Sequence, residues 1–216
     1  MYFKKEDTDI FSKFLNVKPE KKERVLNAAL REFAQQGYEK ASTNAIVKEA
    51  DISKGLLFHY FNSKKDLFLF LYDHFLQIIS EEFFKRIDLI ERDVLIKLRN
   101  VALIKMELMD KYPELFNFFI TVMMEDSREV KGELDRRNRE LLSYSYGKLF
   151  ENIDADRFKE GIDIGKAIDM ITWTVEGFAN RELEKAKRTT AKGLDYDRMF
   201  KEMDSYLEMF RRFFYK

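Results

Sequence analysis

Between two strongly apolar segments the chain reads ADISKGLLFHYFNSKKDL, residues 50 to 67. Lys54, His59, Tyr60, Lys64 and Lys65 are side chains that neutralise or hydrogen-bond to phosphate oxygens. Gly55 costs about 1 kcal/mol relative to alanine inside a helix, a cost that close approach to a backbone or a base edge would explain. Other chemistry is poorly served. The chain has no cysteine, and its two histidines, His59 and His74, are too far apart for a short ligand motif, so no metal and no cofactor are expected. There is no Gly-x-Gly-x-x-Gly, Gly-x-Ser-x-Gly, His-Glu-x-x-His or Glu-x-x-His, and GIDIGK is one residue short between its glycines for a phosphate loop. An enzyme is not expected.

The charge pattern singles out the same region. The 216 residues carry no net charge, but residues 1–65 hold 13 Lys/Arg against 9 Asp/Glu while the remainder holds 26 against 30. The first third is the part suited to a polyanion.

The elements that must position these residues read as helices throughout. No stretch alternates apolar and polar residues as a half-buried strand does, and only 2 prolines and 8 glycines punctuate the chain. Pro19 opens a first helix whose Val25, Leu26, Ala29, Leu30 and Phe33 share a face until Gly37, a left-handed stop. Ser42 and Thr43 open a short second helix with Ile46, Val47 and Ala50 on one side. Asp51 to Ser53 make a turn, and a third helix spans 54–61 with Leu57 and Phe61 inward. Ser63 and Asp66 form a capping box that starts a long fourth helix to about Ile87. Five more helices are expected over 94–112, 114–126, 129–152, 162–188 and 196–215. Ile10, Phe11, Phe14 and Leu15 suggest one more packed turn before the first helix.

Two short helices joined by a three-residue turn match the helix-turn-helix pattern, whose second helix enters a DNA major groove. The run FAQQGYEKASTNAIVKEADISKGLLFHYFNSKKDLF resembles the DNA-binding head of the tetracycline-repressor (TetR) family, in a gapless match over about residues 25 to 71. The resemblance implies that Thr43 and Tyr60 contact phosphates, that Lys54, Gly55 and Leu56 face bases, and that Lys64 meets the DNA backbone. Two residues depart from the family's pattern. Phe58 stands where tyrosine is usual, which removes a phenolic hydrogen bond but leaves a ring able to touch a thymine methyl or a sugar. Asp51 replaces a turn glycine. Exposed His59 completes the expected DNA-binding set.

The fold class expected is therefore all-α, with a three-helix head (residues 1–65, including an extension over 1–17) on a larger helical ligand-binding and dimerisation domain (66–216). A single helix-turn-helix reads few base pairs, and a two-fold homodimer on a palindromic double-stranded DNA operator is the usual remedy. Met199, Phe200, Met203, Tyr206, Leu207, Phe210, Phe213 and Phe214 wrap more than one face of the last helix, as core plus partner contact requires. In the preceding helix Ile164, Ile168, Ile171, Val175 and Phe178 form one stripe, and Trp173 and Gly177 lie off it. Met109, Phe119, Met123, Tyr144, Trp173 and Phe178 are the candidate lining for a small hydrophobic or amphipathic effector. The sequence thus reads as a cytoplasmic, ligand-responsive transcription repressor without a membrane span. The alternative is an all-helical interaction or scaffold module that does not touch DNA.

Overall fold

A computed structural model of the chain describes residues 11–188 and 195–216. Ten α-helices and one short 3-10 turn account for the architecture among these residues: α1 Ser12–Leu15, α2 Pro19–Lys40, α3 Thr43–Glu49, α4 Lys54–Tyr60, α5 Lys64–Phe84, α6 Val94–Lys111, α7 Pro113–Met123, α8 Lys131–Leu149, α9 Ile164–Arg188 and α10 Tyr196–Phe214, with the 3-10 turn at Ala155–Arg157. The expected extra turn is α1; Ile10, one of its four expected apolar residues, lies outside the described residues. Gly37 takes φ 70° and interrupts α2, the left-handed conformation anticipated there, and a last turn to Lys40 follows it. No helix among the described residues is long and apolar enough to cross a membrane.

Two compact units emerge, residues 1–86 with 107–143, and residues 87–106 with 144–216. In the first, α2 buries Val25, Leu26, Ala28, Ala29, Leu30 and Phe33. It packs chiefly on α7, whose Leu115, Phe118 and Val122 repeat at three-to-four spacing. Helix α5 buries a continuous run from Leu67 to Tyr72, because it is covered from several sides. Rings dominate that core: Phe68 lies 4.9 Å from Phe33 and 5.8 Å from Phe118, and Phe70 lies 4.8 Å from Phe11 and 5.3 Å from Phe61. Arg137 of α8 grips both oxygens of Asp73 on α5, at 3.0 and 3.1 Å.

The second unit is organised around one buried carboxylate. Asp93, fully buried, caps α6 by accepting the Leu95 N–H at 2.9 Å. It also accepts the Tyr215 hydroxyl at 3.0 Å and pairs with Arg157 at 2.8 Å and Arg211 at 3.4 Å. The start of α6, the 3-10 turn and the end of α10 are thereby fastened at one point. Buried Lys97 donates to the Leu149 carbonyl at 2.8 Å and closes the end of α8. Burial holds its ammonium below the usual lysine range, partly offset by Glu91 and Asp88. Arg99 forms a two-toothed pair with Asp204 of α10, at 2.7 and 3.1 Å.

Replacing Asp93 with alanine leaves Arg157, Arg211 and Tyr215 without their common acceptor. The expected loss of stability is about 2 to 4 kcal/mol, read from urea unfolding; a change within experimental error would remove Asp93 from this role.

Candidate nucleic-acid interface

Helices α3 and α4 are seven residues long each, and each starts on a serine. Ser42 accepts the Ala45 N–H at 3.3 Å and Ser53 accepts the Leu56 N–H at 3.1 Å, satisfying amides that the first turn leaves open. Between the helices Asp51 adopts φ 53°, so aspartate makes the left-handed turn where the family pattern has glycine. Arg24 donates to the Ala50 carbonyl at 3.3 Å and Arg31 pairs with Glu49 at 2.7 Å, so that two arginines of α2 hold the end of α3.

The helices present two faces. Ile46, Ala50, Leu57 and Phe61 are buried, as the spacing of Leu57 and Phe61 requires. Lys54, Gly55 and His59 are exposed, with Leu56 and Phe58 half-buried beside them. A Cβ added to Gly55 would meet nothing within 4 Å, so packing within the chain does not call for glycine there.

Three sequence-derived contact residues have other engagements. Tyr60 is only 9% exposed, its ring 5.5 Å from Phe14, because α1 covers it. Thr43 is half-buried at the first position of α3. The Lys64 ammonium donates to the carbonyls of Glu39 at 3.1 Å and Ala41 at 3.3 Å, and lies 4.7 Å from the centre of the Tyr38 ring. Lys64 thus ties the end of α2 to the start of α5. Sequence reasoning missed this role, and the partnering Tyr38 with it. The carbonyls that Lys64 takes are among those that the end of α2 leaves without an intrahelical donor.

The candidate ligand residues divide between the two units. Met109, Phe119 and Met123 fall in the first unit, and Tyr144, Trp173 and Phe178 in the second. Phe119 packs against the head's core, 6.0 Å from Tyr72, and Phe178 is buried 5.9 Å from Tyr206. Met123 and Trp173 are each 66% exposed, Tyr144 is exposed and Met109 half-buried. A surface groove of about 290 Å³ between α2 and α7 is lined instead by Arg31, Ala34, Gln35, Glu114, Asn117, Ile120 and Thr121.

Residues 25–75 match the model of the bacterial regulatory proteins of the tetR family. The fatty acid metabolism regulator protein of Bacillus subtilis is 23% identical over 159 residues, covering 70% of this chain and 78% of its own. Among solved structures, a TetR family transcriptional regulator of Chloroflexus aurantiacus J-10-FL superposes with a TM-score of 0.64 at 19% identity, over 95% of this chain and 98% of its own. The fatty acid degradation regulator FadR of Bacillus halodurans does so with 0.57 at 17% identity, over 90% and 96%.

The exposed glycine gives an opposed pair of expectations. Gly55→Ala should raise folding stability by about 0.5 to 1 kcal/mol, measured by thermal or urea unfolding. If Gly55 faces DNA, the same change should weaken DNA binding by about tenfold, because the added methyl group would stand where a base edge or backbone must approach. Equal binding by both forms would place Gly55 outside the interface.

Proposed function

We propose, from the match of residues 25–75 to the tetR family model, that this chain is a transcription regulator of that family: a homodimeric repressor whose hold on a palindromic operator is released by a hydrophobic or amphipathic effector. The observation that carries the reading is the exposed face of α4, where Lys54, Gly55 and His59 stand free of the chain's own packing. Thr43, Leu56, Phe58 and Lys64 flank that face, and Tyr60 supports it from within. Such a helix reads base edges in a major groove while neighbouring cations and amides meet phosphates.

Two of a kind are needed for a long enough site, and exposed apolar residues of the last two helices suit a second copy. Met170 and Trp173 of α9, and Met209 and Phe213 of α10, are at least half exposed, whereas Ile171, Phe178, Met203 and Leu207 are buried. We assign the first four to the seam between protomers and the rest to each protomer's core. For the effector, the soft apolar side chains of the helical body favour an acyl chain. The relatives named for fatty acid metabolism and degradation support the same class. Operation is cytoplasmic, where the operator is.

Selection from a random DNA library should return a two-fold symmetric site, bound with a steep inverse dependence on salt. A chain that selects nothing would remove the DNA-binding reading. If a fatty acid or its coenzyme A thioester lowers operator affinity, saturating operator must lower affinity for that ligand by the same factor. Equal ligand affinities with and without operator would separate ligand binding from release.

A further inference from the structure

Helix α2 is interrupted at Gly37. With Gly37 at φ 70° and ψ 179°, the Tyr38 N–H turns out of line with the Ala34 carbonyl that it meets in an unbroken helix. Both groups find partners at the far end of α7. The Ala34 carbonyl shares the Thr121 hydroxyl with the Asn117 carbonyl of α7, each at 3.0 Å, and the Tyr38 N–H donates to the Glu125 carboxylate at 2.8 Å. The second oxygen of Glu125 accepts the Ser127 N–H at 3.0 Å, which fixes the direction of the carboxylate. A Cβ on Gly37 would lie 3.5 Å from Glu125 and 3.9 Å from Thr121, ordinary contacts, so the positive φ alone demands glycine.

Residues 38–42 lead from this opening straight into the helix-turn-helix. The Tyr38 ring carries the Lys64 ammonium, and Lys64 holds the Glu39 and Ala41 carbonyls. The Ser42 N–H donates to Glu32 at 2.8 Å, and Thr43 begins α3. The position of this segment sets where Thr43 and Lys64 stand.

We propose that Glu125, with Thr121 beside it, is a positioning clasp for DNA binding: it holds α2 open at Gly37 and so places Thr43 and Lys64 for the DNA backbone. The proposal rests on the reading of this chain as a DNA-binding regulator. Gly37 makes the clasp reversible, because glycine takes negative φ as readily as positive. On release, the Tyr38 N–H returns to the Ala34 carbonyl, α2 closes into one helix, and residues 38–42 move with its last turn. In the open form Glu125 takes the Tyr38 N–H and the Thr121 hydroxyl reaches the Ala34 carbonyl, so neither backbone group is left unpartnered and a shift of α7 chooses between the states. Because α7 lies outside the helix-turn-helix, it is the element through which a distant event reaches the interface.

The test measures affinity for DNA selected by the wild-type chain, together with amide hydrogen exchange at Tyr38. Glu125→Ala should weaken binding by about tenfold or more, as loss of a hydrogen bond to a charged group does, and Glu125→Gln, which keeps an acceptor oxygen, should restore most of it. Gly37→Ala favours the closed helix and should weaken binding to a similar degree. The double variant should be no worse than either single one, because both act on one two-state element. Overturning results are a Glu125→Ala protein with a lower melting temperature but unchanged DNA affinity, or a double variant whose losses add. Should Glu125→Ala fail to fold, Gly37→Ala decides alone, and wild-type affinity in it overturns the clasp. A wild-type chain that selects no DNA takes down the regulator reading and the clasp together, whereas a wild-type chain that selects DNA beside a Glu125→Ala protein binding it equally takes down the clasp only.

Discussion

Two helices of seven residues have no stability of their own in water, because nucleation costs more than a turn or two of hydrogen bonds returns. Everything in the first unit follows from having to hold α3 and α4 by their inner faces while leaving an outer one bare. Ile46, Leu57 and Phe61 are sealed beneath α2 and α5, and α1 closes the remaining side with Phe11 and Phe14. Phe14 reaches Phe61 at 4.7 Å and Phe70 at 5.6 Å. Ring pairs of this kind contribute about 0.5 to 1.5 kcal/mol each beyond their buried area. A four-residue helix at the start of the chain is thereby part of the head's core.

The second unit meets a different constraint, the accommodation of charge in its interior. Asp93, Lys97 and Glu182 are buried, and each has a hydrogen-bonding partner. Glu182 engages Lys185 of its own helix and Arg198 of α10, bridging α9 and α10 next to Phe178 and Tyr206. An unpaired buried charge costs several kcal/mol, so these contacts pin helix ends that apolar packing alone would let slide. The apolar residues left outside, Trp173 and Phe213 foremost, then stand on surfaces with no such cost to offset.

On the proposed reading, DNA affinity depends on placement as well as on charge, since the chain as a whole is neutral. Lys54 and His59 stand on a rigid helix, but Lys64 is occupied by carbonyls at the end of α2. Its usefulness to a phosphate depends on how that end is held, and the hold comes from α7 through Thr121 and Glu125. On the proposed reading, recognition and control share residues in the first unit.

Local rules made much of this legible. Serine caps at Ser42, Ser53 and Ser63 and prolines at the first turns of α2 and α7 mark element starts within a residue of where they fall, whereas Gly37 takes the left-handed conformation but α2 runs three residues past it to Lys40. Periodicity put Leu57, Phe61, Ile171 and Phe178 inside and left Trp173 and Gly177 off the buried stripe. What the tertiary structure alone decided is which polar groups meet across long separations. The Tyr38 amide finds Glu125 87 residues away, and Asp93 finds Tyr215 122 residues away. The exposed look of Tyr60 in the sequence gave way to cover by Phe14 for the same reason. Capping and helical period act over three or four residues and leave a pattern in the chain, whereas a hydrogen bond between distant segments depends on how whole helices pack and leaves none.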